Sequence, residues 1–107
     1  MTTPFERLTE LDRLVHEPAR LAILSALSAC ESADFLFLQR ITGLSKGNLS
    51  SHVGRLEEAG LVVVSKEFLG RTPHTTVGLT TAGRDRVAAH WQDLQQLARA
   101  ARRWRPT

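Results

Sequence analysis

Lys46, Gly47, Asn48, Ser50, Ser51 and Arg55 fall close together in the stretch "LSKGNLSSHVGRLEEAGLVVV". They offer two cations, one amide, two hydroxyls and one position with no side chain. An asparagine can pair with an adenine edge, and an arginine with guanine or with a phosphate. Glycine and serine are short enough to let a helix axis approach base edges. Ser45, just before them, has the type that caps a helix start, where free N–H groups and a partial positive charge favour phosphate. Lys66, Arg71 and His74 follow at modest distance. The chemistry that these types suit is recognition of a nucleic-acid duplex.

Catalysis is not indicated. There is no nucleophile set beside a base, no glycine-rich phosphate loop and no carboxylate pair expected in one cleft. Glu17, Glu31 and Asp34 read as helix caps and surface charges. The single cysteine, Cys30, excludes an internal disulfide and reads as a small buried hydrophobe. His16, His52, His74 and His90 are scattered without ligand spacing. No metal and no cofactor is expected.

The elements that must hold these residues follow from periodicity. The 107 residues suit one domain with one core. Thr3, Pro4 and Glu6 open a first helix, expected over about 4–17, with Leu8, Leu11 and Val15 at helical spacing. Pro18 ends or restarts it. Leu21, Ile23, Leu24 and Leu27 make the next helix apolar on nearly every side, as in the centre of a small bundle. Asp34 caps a short third helix ending at Gly43, with Leu38 and Ile41 facing the core and Phe35 giving a scrap of strand. Leu49, Val53 and Leu56 mark the inner face of a fourth helix over 45–59, closed by Gly60. The period then changes: "LVVVSKEF" reads as a strand, "LGRTPH" as a loop and "TTVGL" as the returning strand. Thr80 caps a last helix over 81–103. The expected class is mainly α with a small β-hairpin, in the order α1-α2-α3-α4-β-wing-β-α5.

Charge is divided along the chain. Before Ser45 there are four arginines and six acids; from Ser45 onward there are ten Lys/Arg and five acids. The basic half points to an anionic partner. No apolar run nears the roughly 20 residues of a membrane span. The N-terminal residues lack a signal-peptide pattern, so a cytoplasmic location without membrane contact is expected.

A short turn with Gly43 joins the third and fourth helices, so one props the other and its outer side projects. The pattern "LxxxTGLSKGNLSSHVGRLEEAGLV…GRTPHTTVGLTTAGR" resembles the small winged helix-turn-helix transcriptional regulators, MarR-like and ArsR-like. Leu44, Ser45, Gly47, Leu49, Ser50, His52, Leu56, Glu57, Ala59, Gly60 and Leu61 carry the resemblance, and so do Arg71, Pro73, Leu79, Thr80, Gly83 and Arg84. It implies a dimeric repressor-type protein on an inverted repeat of double-stranded DNA, with 45–59 as recognition helix and the 61–79 hairpin as wing. Metal-sensing ArsR-like members carry paired cysteines, which this chain lacks, and no effector is assigned.

The last helix is expected to outrun the body it covers, at roughly 34 Å for 1.5 Å per residue. Its apolar positions Trp91, Leu94, Leu97, Ala98 and Ala101, with Phe5, Leu8 and Leu11 from the first helix, would then pair with a second copy as a homodimer. The competing reading is a winged helix used for protein–protein contact without DNA readout. Glu57 and Glu58 lie late in the fourth helix, but Lys46, Asn48, Ser51 and Arg55 precede them.

Overall fold

The computed structural model describes residues 2–107. Its elements are α1 (Pro4–Leu8), α2 (Pro18–Ser28), β1 (Ala33–Asp34), α3 (Phe35–Thr42), α4 (Lys46–Glu58), β2 (Val62–Leu69), β3 (Thr72–Leu79) and α5 (Thr81–Arg103). The mainly helical class holds, and the hairpin gains a third, two-residue strand. β1 pairs antiparallel with β3 through Ala33 with Val77 and Asp34 with Thr76, giving the order β1-β3-β2. Phe35 is not part of that strand; it starts α3.

α2 lies at the centre. Ile23, Leu24 and Leu27 are fully buried, and meet Leu38 of α3, Leu49, Val53 and Leu56 of α4, Val62 and Val77 of the sheet, and Val87 of α5. Each such side chain contributes about 1.5–3 kcal/mol by leaving water. Ile41 departs from expectation and is 50% exposed. α3 is only two turns long and its inward line is filled by Leu38.

The first helix is shorter than the expected 4–17. It ends at Leu8 because side chains offer the backbone other partners. Thr9 Oγ1 donates to the Glu6 carbonyl at 2.6 Å, and Asp12 Oδ1 accepts from the N–H groups of Leu14 and Val15 at 3.1 and 3.4 Å. Such local bonds compete with helix. Glu17, held extended before Pro18, then caps α2 by accepting from Ala19 and Arg20.

The expected "LGRTPH" loop is also corrected. β2 and β3 stay paired up to Leu69 with Thr72, leaving a two-residue turn, Gly70–Arg71. Gly70 has φ 67° while Arg71 does not have a positive φ, the pattern of a type II′ hairpin. Pro73 is tolerated in β3 because the pair after the closing one exchanges no hydrogen bonds. Its missing N–H faces the side where β1 does not reach.

α5 starts against the end of α4. Thr80 Oγ1 accepts from Gly83 N at 3.0 Å and donates to the Gly60 carbonyl at 2.7 Å. A Cβ on Gly83 would lie 2.0 Å from the Leu61 carbonyl oxygen, so only glycine permits this approach. Further along, Val87, His90 and Leu97 are buried. Leu97, expected on an exposed stripe, is already covered within its own chain at 2% exposure. The molecule is elongated, 67 × 25 × 21 Å. Its radius of gyration is 16.6 Å, against about 13 Å for a compact chain of this length.

Candidate nucleic-acid interface

The α3–α4 unit is set by local chemistry. Asp34 Oδ1 accepts from Phe37 N at 2.7 Å and starts α3. Gly43 ends it in the left-handed conformation, φ 73°, its N–H donating to the Gln39 carbonyl. Two residues later Ser45 Oγ accepts from Asn48 N at 3.1 Å and starts α4. The connection is too short for antiparallel packing, so the two helices cross as a helix-turn-helix. Leu49, Val53 and Leu56 anchor α4, with at most 4% exposure. Ser45, Lys46, Gly47, Asn48, Ser50, Ser51 and Arg55 are all exposed. The Ser45 hydroxyl accepts the capping bond, which leaves its own proton free to donate outward.

α4 presents two flanks. Lys46, Ser50, Gly54 and Glu57 border an open cleft of about 750 Å³, whose far wall is Lys66, His74 and Thr75 of the wing. Arg40 of α3 joins that cleft and is absent from the sequence-based set. Its signal was available: a basic residue in the last turn of the first helix of the unit. Gly54 was also missed; it continues the line of small residues from Gly47. Arg71 stands at the exposed turn of the wing. His74 does not: it pairs with Glu67 on β3, below the turn, and is half-buried. Among the described residues the ion pairs are Arg20–Glu17 and Arg86–Asp12, and Nδ1 of His52 lies 3.8 Å from Glu17. None engages Lys46, Arg55, Lys66 or Arg71, so these charges are free for an anionic partner.

The other flank of α4 is tied inward. Arg20 of α2 is 7% exposed. Its Nε donates to the Leu14 carbonyl at 2.6 Å, its Nη2 to the Arg13 carbonyl at 3.3 Å, and its Nη1 to Nδ1 of His52 at 3.2 Å. Glu17 lies 3.8 Å from both partners. Partial burial raises the Glu17 carboxyl, but the N–H bonds from Arg20 and Ala19, with the charge of Arg20, outweigh it, holding its pKa below 4.5. Sequence reasoning missed this cluster, because residues 20 and 52 share no local pattern.

The family model described as "Winged helix DNA-binding domain" matches residues 19–98, from the start of α2 well into α5. This chain belongs to the winged helix DNA-binding family. A transcriptional regulator homologue of Pyrococcus horikoshii is 28% identical with a TM-score of 0.81, the match covering 90% of this chain and 94% of that one. An uncharacterized protein of Methanocaldococcus jannaschii is 28% identical over 87 residues, 81% of this chain and 95% of that one. The PcaV transcriptional regulator of Streptomyces coelicolor, solved with its natural ligand, shares the fold at 22% identity and TM-score 0.72, over 86% of this chain and 64% of that one. These likenesses agree with the resemblance of the motifs to small winged helix, MarR-like transcriptional regulators. The winged helix protein is thus a DNA-binding regulator by family and fold, which are those of transcriptional regulators and not of enzymes. No helix among the described residues is long and apolar enough to cross a membrane.

Proposed function

We propose that this winged helix protein binds double-stranded DNA sequence-specifically as a homodimer and represses transcription from an inverted repeat. The observation that carries this reading is the outer surface of α4: exposed, short or hydrogen-bonding, and flanked by cations that no acid among the described residues engages. α4 lies in the major groove. Asn48 and Arg55 contact bases or the adjoining backbone, and Ser45, Lys46 and Ser51 take phosphates. Gly47 and Ser50 let the helix axis come close. The wing follows the backbone through Lys66 and His74, and Arg71 enters the neighbouring minor groove, where narrow A/T-rich geometry favours arginine.

Dimerisation supplies the second half-site. Phe5, Leu8 and Trp91 are 45%, 40% and 44% exposed, with Leu11, Leu94, Ala98 and Ala101 beside them on α1, its following turn and α5. Phe5 packs edge-on against Trp104 at 5.2 Å, which brings both ends of the chain to this surface. Leu97 supports it from beneath. A two-fold axis through this surface sets two α4 helices about 34 Å apart, one DNA turn.

Selection from a random duplex pool tests the reading. The expected product is an inverted repeat, with log affinity falling against log salt by about 0.9 for each phosphate neutralised. An affinity indifferent to salt defeats it. Leu8→Lys combined with Ala98→Glu, both at exposed positions, is expected to halve the mass in solution; an unchanged dimer removes this surface from the interface.

A further inference from the structure

The inward-tied flank of α4 has a consequence for what that helix offers outward. An arginine guanidinium has five N–H donors, no acceptor, and stays protonated. With Arg20 Nη1 at 3.2 Å, Nδ1 of His52 can only accept. The neutral ring then carries its proton on Nε2. Among the described residues that atom has no partner, and no buried side-chain nitrogen or oxygen lacks one, so Nε2 reaches solvent. His52 follows Asn48 by four residues and precedes Arg55 by three, which puts the three side chains on neighbouring turns of one helix flank. The ring sits at the margin of the exposed face, next to the buried line of Leu49 and Leu56, and not on the crest with Gly47 and Ser51.

We propose that His52 is a further DNA contact of the recognition helix, donating Nε2–H to a backbone phosphate, with Arg20 as its positioning residue. This rests on the DNA-binding reading above. A residue at the margin of a helix seated in the major groove faces the sugar–phosphate wall rather than the base edges. Arg20 cannot make that contact itself, because two backbone carbonyls hold its guanidinium. Its charge is offset by Glu17, 3.8 Å from Nη1. The phosphate therefore meets a neutral donor whose direction is fixed by a buried cation.

Two substitutions separate the two ring nitrogens. In His52→Asn the amide oxygen replaces Nδ1 as acceptor for Arg20, and the distal donor is lost. In His52→Gln the amide nitrogen reaches the place of Nε2. Affinities are measured for wild type and both variants, on the selected duplex and on random duplex, at two salt concentrations. Long-range proton–nitrogen NMR of the rings reports the tautomer. The expected results are a wild-type His52 protonated on Nε2, and His52→Asn binding roughly tenfold more weakly on both duplexes, as for loss of one bond to a charged group. His52→Gln retains most of the affinity. The salt slope stays unchanged in both, because a neutral donor releases no counterion, whereas Lys46→Ala lowers it by about 0.9. Arg20→Gln is expected to give a mixture of tautomers in a chain that remains folded by circular dichroism. If Arg20→Gln unfolds, the tautomer of wild type and the contrast between the two His52 variants still decide. A wild-type ring protonated on Nδ1, or full affinity in His52→Asn, overturns the proposal. So does a loss confined to the selected duplex, which makes His52 a base reader. Wild type that binds no duplex overturns the DNA-binding reading and this contact with it, and that is seen without any variant.

Discussion

Two helices carry glycine where helix propensity disfavours it, for opposite reasons. On α5 a Cβ at Gly83 would meet the Leu61 carbonyl oxygen at 2.0 Å, and the fold itself demands its absence. On α4 a Cβ at Gly47 or Gly54 would meet nothing within 4 Å. Each glycine costs an exposed helix about 0.5–1 kcal/mol relative to alanine. No contact among the described residues offsets that cost on α4, which accords with the proposed close approach of DNA there. Arg84 and Arg86, near the start of α5, differ in the same way from Arg55 and Arg71. Arg84 and Arg86 of α5 donate to Ser28 and Asp12, while Arg55 of α4 and Arg71 of the wing engage no acid. In the proposed reading, the residues of α4 and the wing that internal packing leaves unexplained are those that meet DNA.

The largest effect expected from this comparison is at Gly83. Gly83→Ala forces backbone against backbone and should destabilise by about 3 kcal/mol or more, the upper range for overpacking. Denaturant unfolding measures it; a loss under about 1 kcal/mol would show that the α5 start yields easily. Asn48→Ala comes next, expected to cost about 1–3 kcal/mol on the selected DNA site and little on random DNA. Equal losses on both would make Asn48 a backbone contact.

Gly47→Ala and Gly54→Ala should act in opposite senses on two measurements. Stability rises by about 0.5–1 kcal/mol for each, while DNA affinity falls because the helix axis is held off. If affinity is kept, α4 does not lie close to the base edges at those positions. For the ion pair of Asp12 with Arg86, 2.8 Å apart, a double-mutant cycle should give below about 1 kcal/mol, since both groups are partly exposed.

The buried side of α5 carries a pH dependence of its own. His90 is 3% exposed, and its Nε2 lies 3.1 Å from Nδ1 of His16. Burial first, and then the nearby His16, lower its pKa below 6.5, against the opposing pull of Asp12 and Asp93. A histidine depressed in the folded state binds fewer protons there than when unfolded. Its contribution is therefore intact above pH 6.5 and is lost as pH falls from 6.5 toward the lowered value. Thermal unfolding between pH 7.5 and 5.5 should show wild type weakening more than His90→Gln. Parallel curves would remove His90 as the cause.

The sequence alone determined what short-range chemistry controls. Ser45, Asp34 and Thr80 cap their helices within three residues of the N–H groups they accept. Leu49, Val53 and Leu56 mark the buried line of α4 by spacing, and the outer residues follow as its complement. That is why the α4 boundaries, the presence of a hairpin and the exposure of the outer residues of α4 were legible. Even at short range, side-chain bonds misled: those of Thr9 and Asp12 unwound the first helix where apolar spacing continued it. Only the tertiary structure decided which flank meets what. Arg20 reaches His52 across 32 residues, and His16 and Asp12 reach His90 and Arg86 across 74. Periodicity says which face of a helix turns inward but not which neighbour waits there. Leu97 shows the same limit: its spacing matched the exposed stripe of α5, yet the packing of the chain against α5 covers it. Pairings between distant residues depend on how whole elements cross, and no local pattern records that.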